Sequence, residues 1–297
     1  MDKKVGFAGL GIMGFYMAKH LQEAEINLTV YNRTPDKAQE LGNLGAAVAK
    51  TPAELAGACD IVFLMLGNDN AVEEVCFGPT GIVKGLKGPL TLINSGTSDP
   101  KFNIELCERL KPYGIEFLDV PVTGSGVHAK AGTLTFMCGG NKEAFTECIP
   151  LFEAMGKEAF HMGGIGSGSY TKLANNTMLA INLCAFAEAV TLVAKAGVDP
   201  ELFVKVSSGG GGSNGMAQAK VSKVVKRDFS PAFKVKSLVK DLKLITACAE
   251  DLKLVAPVTA LARELVNISE SKGYTDEDVC SLVKCYEEWS KTEVQKV

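Results

Sequence analysis

Short apolar runs rich in β-branched residues alternate with amphipathic stretches over the first half of the chain. The apolar runs read KVGFAGL, NLTVYN, DIVFLML, PLTLINS and IEFLDVPV. Helical patterns begin near Met13, Pro35, Asn70 and Lys101. Strands separated by helices of about ten residues are typical of parallel βαβ units whose sheet is covered on both faces. The pattern therefore predicts an α/β domain built on a doubly wound sheet.

The pattern becomes helical after about Gly163. Residues 170–197 form one apolar-rich run without proline, which ends in a lysine, an alanine and a glycine. A helix of about 28 residues is about 40 Å long and can leave one domain and form the spine of the next. Further helices are predicted around 200–207, 215–226, 234–251, 256–271 and 276–290. We interpret SSGGGGSNG, residues 207–215, as a flexible joint between two of them.

These patterns divide the chain into two predicted domains. The first spans residues 1–164 and contains the doubly wound sheet, and the second spans residues 165–297 and is all helical. The interdomain helix covers about 168–196. A length of 297 residues fits this division, because single hydrophobic cores stop growing near that size.

Composition limits the kinds of partner that the protein is expected to bind and indicates its cellular compartment. The chain is 46% hydrophobic and 22% charged with a net charge of −3, so there is no general electrostatic reason to expect nucleic acid or an acidic membrane surface. No uninterrupted apolar run reaches the roughly 18 residues of a membrane helix. The nine cysteines lie singly, with no CxxC pair or histidine placed for zinc, which predicts free thiols and no metal site. The first residues show no cleavable signal, so we expect a reducing cytoplasm.

A glycine motif follows the first predicted strand and opens the first helix. The segment consists of Gly9, Leu10, Gly11, Ile12, Met13 and Gly14, which gives GxGxxG. A loose surface loop could have the same spacing. Within a βαβ unit, however, this arrangement places a pyrophosphate on a helix N-terminus, so we assign the segment to dinucleotide binding.

The second predicted strand ends in Asn32, where a carboxylate would normally bind the ribose hydroxyls of NAD. Arg33 and Thr34 follow it. A guanidinium can pair with the 2′-phosphate of NADP, which a carboxylate would repel. Thr34 and Pro35 also suit a plain helix start, and both interpretations can hold together. We predict a preference for NADP over NAD.

Four spaced motifs resemble those of the β-hydroxyacid dehydrogenases over nearly the whole chain. They read GLGIMGFYMAKHL, DVPVTGSGVHAKAGTLTFMCGG, GSGSYTKLANN and KDL. This family includes 3-hydroxyisobutyrate dehydrogenase, tartronate semialdehyde reductase and glyoxylate/succinic semialdehyde reductase. The resemblance implies a Rossmann domain followed by an all-helical domain. It also implies NADP(H)-dependent interconversion of a small β-hydroxyacid and its semialdehyde or keto acid.

The resemblance implies a catalytic role for Lys172, with Asn176 beside it. The two residues are four apart, so on a helix they share a face. Lys172 would donate a proton to the alkoxide left by hydride transfer and would accept it in the reverse direction. For that second role, desolvation in a domain cleft would lower its pKa. Asn176 would hold the substrate hydroxyl towards Lys172. A lysine at a solvated helix start is the alternative for Lys172 taken alone.

The family's substrate-carboxylate segment corresponds to Thr123, Gly124 and Ser125. Backbone N–H groups and two hydroxyls there can form an anion-binding nest. The family more often has Ser-Gly-Gly, so Thr123 and Ser125 depart from its pattern, and the substrate shape is expected to differ. A plain turn is the alternative interpretation.

The remaining cofactor contacts also follow from the resemblance. Thr97 matches the family's cofactor-side threonine, whereas Asn94 and Gly96 depart from its Asp-x-Ser-Thr pattern, and Leu66-Gly67 stands where Leu-Pro is usual. In the helical domain, Lys240 of KDL resembles a lysine that reaches the nicotinamide end, and Phe233 is predicted to pack against the cofactor. A solvated helix face is the alternative for Lys240.

The sequence also bears on alternative functions and on the oligomeric state. Imine reductases share a similar nucleotide loop but lack the catalytic lysine, and 6-phosphogluconate dehydrogenase has a much longer chain. A non-catalytic NADP-bound scaffold is expected to have lost Lys172. We predict that His20, His128 and His161 are structural, with His128 the one that could reach substrate. The apolar run near residues 185–196 predicts a homodimer or homotetramer.

Overall fold

Among the residues that the computed structural model describes, 3–296, nine strands form one sheet. The strands are β1 (Val5–Ala8), β2 (Leu28–Tyr31), β3 (Ala47–Val48), β4 (Ile61–Leu64), β5 (Leu90–Asn94), β6 (Ile115–Asp119), β7 (Val122–Thr123), β8 (Leu134–Gly139) and β9 (Gly156–Gly163). Their order is β3-β2-β1-β4-β5-β6-β8-β7, and β9 pairs with β8. All neighbours from β3 to β6 are parallel, while β8 is antiparallel to β6 and β7. The predicted doubly wound sheet is confirmed.

Helices cover both faces of this sheet. They are α1 (Gly14–Glu23), α2 (Pro35–Gly42), α3 (Pro52–Ala58), α4 (Asp69–Phe77), α5 (Pro100–Leu110), α6 (Gly126–Ala131) and α7 (Lys142–Met155). Neighbouring residues of one strand belong to different hydrophobic clusters: Phe63 packs in one and Leu64 in the other. Phe7 stacks on Phe63 with ring centroids 5.8 Å apart. Because both faces of the sheet are covered, every residue of β1 and β4 is buried and neither strand alternates with polar residues.

The sequence pattern missed the elements that are short or interrupted. Strands β3 and β7 have two residues each, too few to show a period, and both residues of β3 are exposed. Helix α7 contains Pro150 within its helical run, which weakens its signal. Strand β8, which the sequence pattern did not predict, pairs antiparallel with β6 and β7.

The chain divides into two compact units, one up to Lys172 and the other from Leu173. The second unit is helical: α8 (Ser167–Lys195) enters it, and α9 (Pro200–Ser207), α10 (Gly215–Val225), α11 (Val235–Asp251), α12 (Pro257–Ser269) and α13 (Leu282–Ser290) follow. Helix α13 begins six residues later than predicted, because a short 3₁₀ turn (Val279–Ser281) precedes it. Gly197, with a φ of +76°, stands just after α8, as the predicted stop requires.

Helix α8 is long and apolar enough to cross a bilayer, by length and composition alone. One helix of this kind is weak evidence for a membrane span, because the long central helix of many water-soluble proteins meets the same criteria.

A buried ion pair organises the helical unit. The Nζ of Lys220, on α10, lies 2.8 Å from Asp278 Oδ1 and donates to Oδ2 at 2.9 Å. The same carboxylate accepts backbone N–H groups from Ala232, Phe233 and Cys280. Asp278 therefore ties α10 to the segment that leads into α11.

The nine cysteines are free thiols, as the sequence predicts. Burial raises the pKa of most of them, for example that of Cys59 to about 11 and that of Cys148 to about 12. A thiol with so high a pKa is a poor nucleophile near neutral pH, so these side chains act as small apolar core residues.

Candidate active site

The turn after β1 has the geometry that a dinucleotide loop needs. Gly9 has a φ of +98°, and a Cβ there would lie 2.4 Å from the backbone oxygen of Met65. A Cβ on Gly14 would lie 2.0 Å from the Gly9 oxygen, so this glycine lets α1 begin directly against the loop. A Cβ on Gly11 would meet no atom within 4 Å, which leaves its backbone open to a phosphate.

Asn32 joins this loop to the next turn. Its Oδ1 accepts the N–H of Leu10 at 2.9 Å, and its Nδ2 donates to the Thr34 carbonyl at 2.7 Å. A carboxylate could make the first bond but not the second, because it has no donor. The departure at Asn32 from the usual acidic residue thus has a structural reason: the amide shapes the turn that presents Arg33.

A cavity of about 400 Å³ lies beside the glycine loop. Its lining includes Gly9, Gly11, Asn32, Arg33, Thr34 and Leu66 from the predicted cofactor set. Arg33 is the one basic side chain of this lining and Glu74 the one acidic side chain. Among residues 3–296, no hydrogen bond or ion pair engages the Arg33 guanidinium, which is exposed. The cavity is therefore able to receive an anionic group next to Arg33.

The loop after β5 lies close to the loop after β4. A Cβ on Gly96 would stand 2.9 Å from the Leu66 carbonyl oxygen, so a glycine allows the two backbones to approach. The departure from serine at Gly96 follows from this contact. Thr97 lies next to it and is half-buried. Its cofactor contact stays a prediction.

The segment predicted to hold a substrate carboxylate joins β7 to α6. Gly124 has a φ of +128°, which bends the backbone there. The N–H of Ser125 donates to His128 Nδ1 at 3.2 Å, and the Ser125 hydroxyl is 3.1 Å from the same nitrogen. The N–H and the hydroxyl of Ser125, both predicted anion donors, thus contact His128, and Thr123 is half-buried. Binding of a carboxylate by this segment stays a prediction.

The other two histidines contact backbone carbonyls. His20 Nε2 lies 3.0 Å from the Ala129 oxygen, and His161 Nε2 lies 2.8 Å from the Gly140 oxygen. Both contacts fit the structural role that we predict for them. Within residues 3–296, no group of three or more His, Cys, Asp or Glu side chains is placed to hold a metal ion.

Lys172 lies in the second turn of α8 and is buried, with 9% of the residue exposed. This burial is uncommon for lysine, which is almost never buried without a polar partner. It argues against the solvated helix start that the sequence left open. A lysine side chain is a compact point donor on a flexible stem, which suits a group that hands over a proton.

Asp241 is the residue of the helical unit that the sequence interpretation missed. It is 3% exposed, and its Oδ2 accepts the Asn176 amide N–H at 2.7 Å. The Nζ of Lys240 lies 3.2 Å from its Oδ1. Asp241 therefore holds Asn176 by a hydrogen bond and has the Lys240 ammonium nearby, while its Oδ1 accepts no hydrogen bond from the part of the chain that the structure describes. The signal available in the sequence was the acidic residue within KDL itself.

The Asn176 amide is oriented from both sides. Its Nδ2 donates to Asp241, and its Oδ1 accepts from Asn175 Nδ2 at 3.1 Å. Phe233, half-buried in the same unit, gives its N–H to Asp278. The roles of Asn176, Lys240 and Phe233 towards substrate and cofactor stay predictions.

Comparison with known proteins adds to this geometry. Residues 4–164 match the model for the NAD binding domain of 6-phosphogluconate dehydrogenase. Residues 166–286 match the model for the NAD-binding domain of NADP-dependent 3-hydroxyisobutyrate dehydrogenase. The chain is 37% identical to 2-hydroxy-3-oxopropionate reductase of Escherichia coli, over 96% of this chain and 97% of that protein. The chain belongs to the β-hydroxyacid dehydrogenase family.

Two further members illustrate the range of this family. Glyoxylate/succinic semialdehyde reductase 2 of Arabidopsis thaliana, a chloroplast protein, is 33% identical over 94% of this chain and 78% of its own length. A crystal structure of 3-hydroxyisobutyrate dehydrogenase from Salmonella typhimurium superposes with a TM-score of 0.87 at 28% identity, covering 96% of this chain and all of that one. As a β-hydroxyacid dehydrogenase, the protein is an NAD(P)-dependent oxidoreductase acting on hydroxyl groups.

Proposed function

We propose that the protein is an NADPH-dependent reductase of small carbonyl compounds that carry a carboxylate, and that it runs in reverse as a β-hydroxyacid dehydrogenase. The observation that carries this proposal is Lys172, a buried ammonium on α8 in a chain that also has a dinucleotide loop. The names of the relatives support the substrate class, since they include a semialdehyde reductase and a hydroxyacid dehydrogenase.

The mechanism assigns a proton to Lys172. Bound NADPH supplies the hydride. As the carbonyl carbon is reduced, its oxygen gains negative charge, and the Lys172 ammonium donates a proton to it to give the hydroxyl. In the oxidative direction the neutral amine takes that proton back. Asn176, oriented by Asp241, hydrogen-bonds the same oxygen and keeps it near Lys172.

Glyoxylate, succinic semialdehyde, tartronate semialdehyde and methylmalonate semialdehyde are the substrates to test first. The segment from Thr123 to Ser125 would bind their carboxylate. We expect succinic semialdehyde to be reduced with a kcat/KM about 10–100-fold above that of butanal, because a charge-assisted hydrogen bond to a carboxylate contributes about 1.5–3 kcal/mol. Initial rates of NADPH oxidation measure this ratio. Equal values for the two aldehydes would rule out recognition of the carboxylate.

We also propose that Arg33 gives the enzyme its preference for NADPH. Replacing Arg33 by alanine should raise the KM for NADPH about 10–100-fold, because a charge-assisted pair to the 2′-phosphate is lost. The KM for NADH should change little, since NADH has no such phosphate. Arg33→Lys is the matched variant, because it keeps the positive charge but loses the planar guanidinium. Its KM for NADPH should lie between those of the wild type and Arg33→Ala. A parallel loss with both cofactors would contradict this role.

Two other functions make different predictions. An imine reductase would reduce cyclic imines and not the carbonyl panel, and a scaffold would bind NADPH without turnover. Lys172 is favoured as a proton donor by its burial, which neither alternative requires.

We propose further that the protein is a homodimer or homotetramer. Helix α8 exposes Met178 and Leu192, and α9 exposes Leu202 and Val206, so the helical unit presents apolar side chains to solvent. Multi-angle light scattering at micromolar concentration should return two or four times the single-chain mass. A single-chain mass would contradict the proposal.

We also propose a reducing, cytoplasmic location, which the nine free cysteines support.

A further inference from the structure

A chain of buried polar side chains joins β5, α5, α8 and β6. Asn94 Nδ2 donates to Asn103 Oδ1 at 3.0 Å, and Asn103 Nδ2 donates to Ser169 Oγ at 2.8 Å. The Ser169 hydroxyl donates to Asp119 Oδ2 at 2.9 Å. None of the four residues is more than 1% exposed. We call this chain of hydrogen bonds the Asn94 relay; all of it lies in the unit that ends at Lys172.

The relay ends on a carboxylate that holds the start of α8. Asp119 Oδ1 accepts the Gly166 N–H at 2.8 Å, and Oδ2 accepts the Ser169 N–H at 2.7 Å. The first N–H groups of a helix have no partner within the helix, and its N-terminus favours negative charge. Burial raises the pKa of Asp119, and the hydrogen bonds from Gly166 and Ser169 oppose this shift.

The first turn of α8 also packs directly on the strand end. A Cβ on Gly168 would lie 2.4 Å from the backbone oxygens of both Asp119 and Met137. A Cβ on Gly139 would lie 2.3 Å from Asp119 Oδ1. Lys172 follows Ser169 by three residues, so the two side chains lie on neighbouring positions of one helix face. Whatever fixes Ser169 therefore fixes the backbone from which Lys172 extends.

The donors and acceptors of the relay have one consistent direction. Asn94 Oδ1 accepts the Gly96 N–H at 3.2 Å, and Asn94 Nδ2 donates to Ser98 and Asn103. Because Asn103 receives this bond on its oxygen, its NH₂ group faces Ser169. The Ser169 hydroxyl has a single proton, and it is directed to Asp119.

A carboxylate at position 94 would reverse this direction. An ionised Asp accepts hydrogen bonds and donates none, so Asn103 would have to turn its NH₂ group towards position 94. Its oxygen would then face Ser169 and compete with Asp119 for the hydroxyl proton. Asp119 would lose one of its three donors, the Ser169 hydroxyl, and the Ser169 N–H would be the bond that remains from α8 to that carboxylate.

We propose that Asn94 is a positioning residue for Lys172: its amide sets the direction of the relay through Asn103 and Ser169 and so fixes the first turn of α8 on Asp119. The inference rests on the proposed role of Lys172 as the proton donor.

A double-mutant cycle with Asn94→Asp and Ser169→Ala tests the relay. Each single change should lower kcat about 10–100-fold, because misplacing a catalytic group by about 1 Å costs that much. The KM for NADPH should stay within about twofold, since the cofactor cavity is untouched. The double variant should be no slower than the slower single one, because both changes break the same chain. Asn27→Asp, the same chemical change at an exposed site before β2, should leave kcat near wild type.

Urea unfolding of the four proteins separates positioning from stability. Rates are compared where all of the variants are folded, so a purely structural role would shift unfolding midpoints and leave kcat unchanged. That outcome, or kcat losses that multiply in the double variant, would overturn the positioning role while wild-type turnover still supported the proposed function. A wild type that reduces no carbonyl would overturn the proposed function and the positioning role with it.

Discussion

Replacing Lys172 by alanine is expected to lower kcat for carbonyl reduction by about 10²–10⁴-fold, the usual contribution of a general acid. The KM for NADPH should change little, because the cavity beside the glycine loop is formed by other residues. Without the ammonium, the alkoxide left by hydride transfer would take its proton from water. Steady-state rates of NADPH oxidation with the best carbonyl substrate measure the loss.

Two controls separate proton donation from charge and from folding. Lys172→Arg keeps a positive charge but places it on a group whose pKa is above about 12, so it should recover little activity. Lys142→Ala removes an exposed lysine from the start of α7 and should leave kcat unchanged. A Lys172→Ala enzyme that kept a third or more of the wild-type kcat would show that another group supplies the proton.

Replacing Asp278 by asparagine should lower the free energy of unfolding by about 3–5 kcal/mol at neutral pH, the range found when one partner of a buried ion pair is removed. The variant leaves Lys220 as a buried charge without its carboxylate. It also weakens the acceptor for the Ala232 and Phe233 N–H groups. Urea denaturation followed by circular dichroism measures the difference. Asp276→Asn, an exposed site two residues away, should have a much smaller effect.

The effect of Asp278→Asn should depend on pH in a defined direction. Burial opposes ionisation of Asp278, but the bonds from Lys220, Cys280 and Ala232 outweigh it, and its pKa lies below the ordinary value. A folded pKa below that of the unfolded chain, about 3.9, adds stability that is fully present above that value. This stability is lost as the pH falls through the folded pKa. The difference between wild type and variant should therefore shrink in acid; a difference that grew there would contradict the assignment.

The sequence predicted those elements whose residue pattern is contained within one segment of the chain. The β1 turn could be predicted because the glycines at 9, 11 and 14 form a recognisable motif within six residues, although the atom that a Cβ on Gly9 would meet first is the Met65 oxygen. Apart from the start of α13, the helices of the second unit were predicted nearly to their ends by apolar periodicity and proline or glycine at their termini. The pattern around β7, β8 and β9 was missed, because strand pairing there depends on partners distant in sequence.

The sequence indicated candidate site residues but not the contacts that these residues make. Asn32 and Asn94 looked like departures from a motif, and nothing local indicates that each amide also bonds to another segment, Asn32 to the Leu10 N–H and Asn94 to the Asn103 oxygen. The KDL motif led to a prediction for Lys240 alone, although its Asp241 is the carboxylate that accepts the Asn176 amide N–H. Buried polar partners are specified by the packing of several elements, and a single sequence does not reveal that packing.

The measurement that tests the account most directly uses NADPH carrying deuterium at the transferable position of C4, with glyoxylate or a semialdehyde as substrate. Mass spectrometry of the product should find one deuterium on the carbon that was the carbonyl. The Lys172→Ala enzyme should form the same labelled product far more slowly. NADPH consumed without deuterium in the hydroxyacid, or labelled product formed equally fast without Lys172, would contradict a lysine-assisted carbonyl reductase.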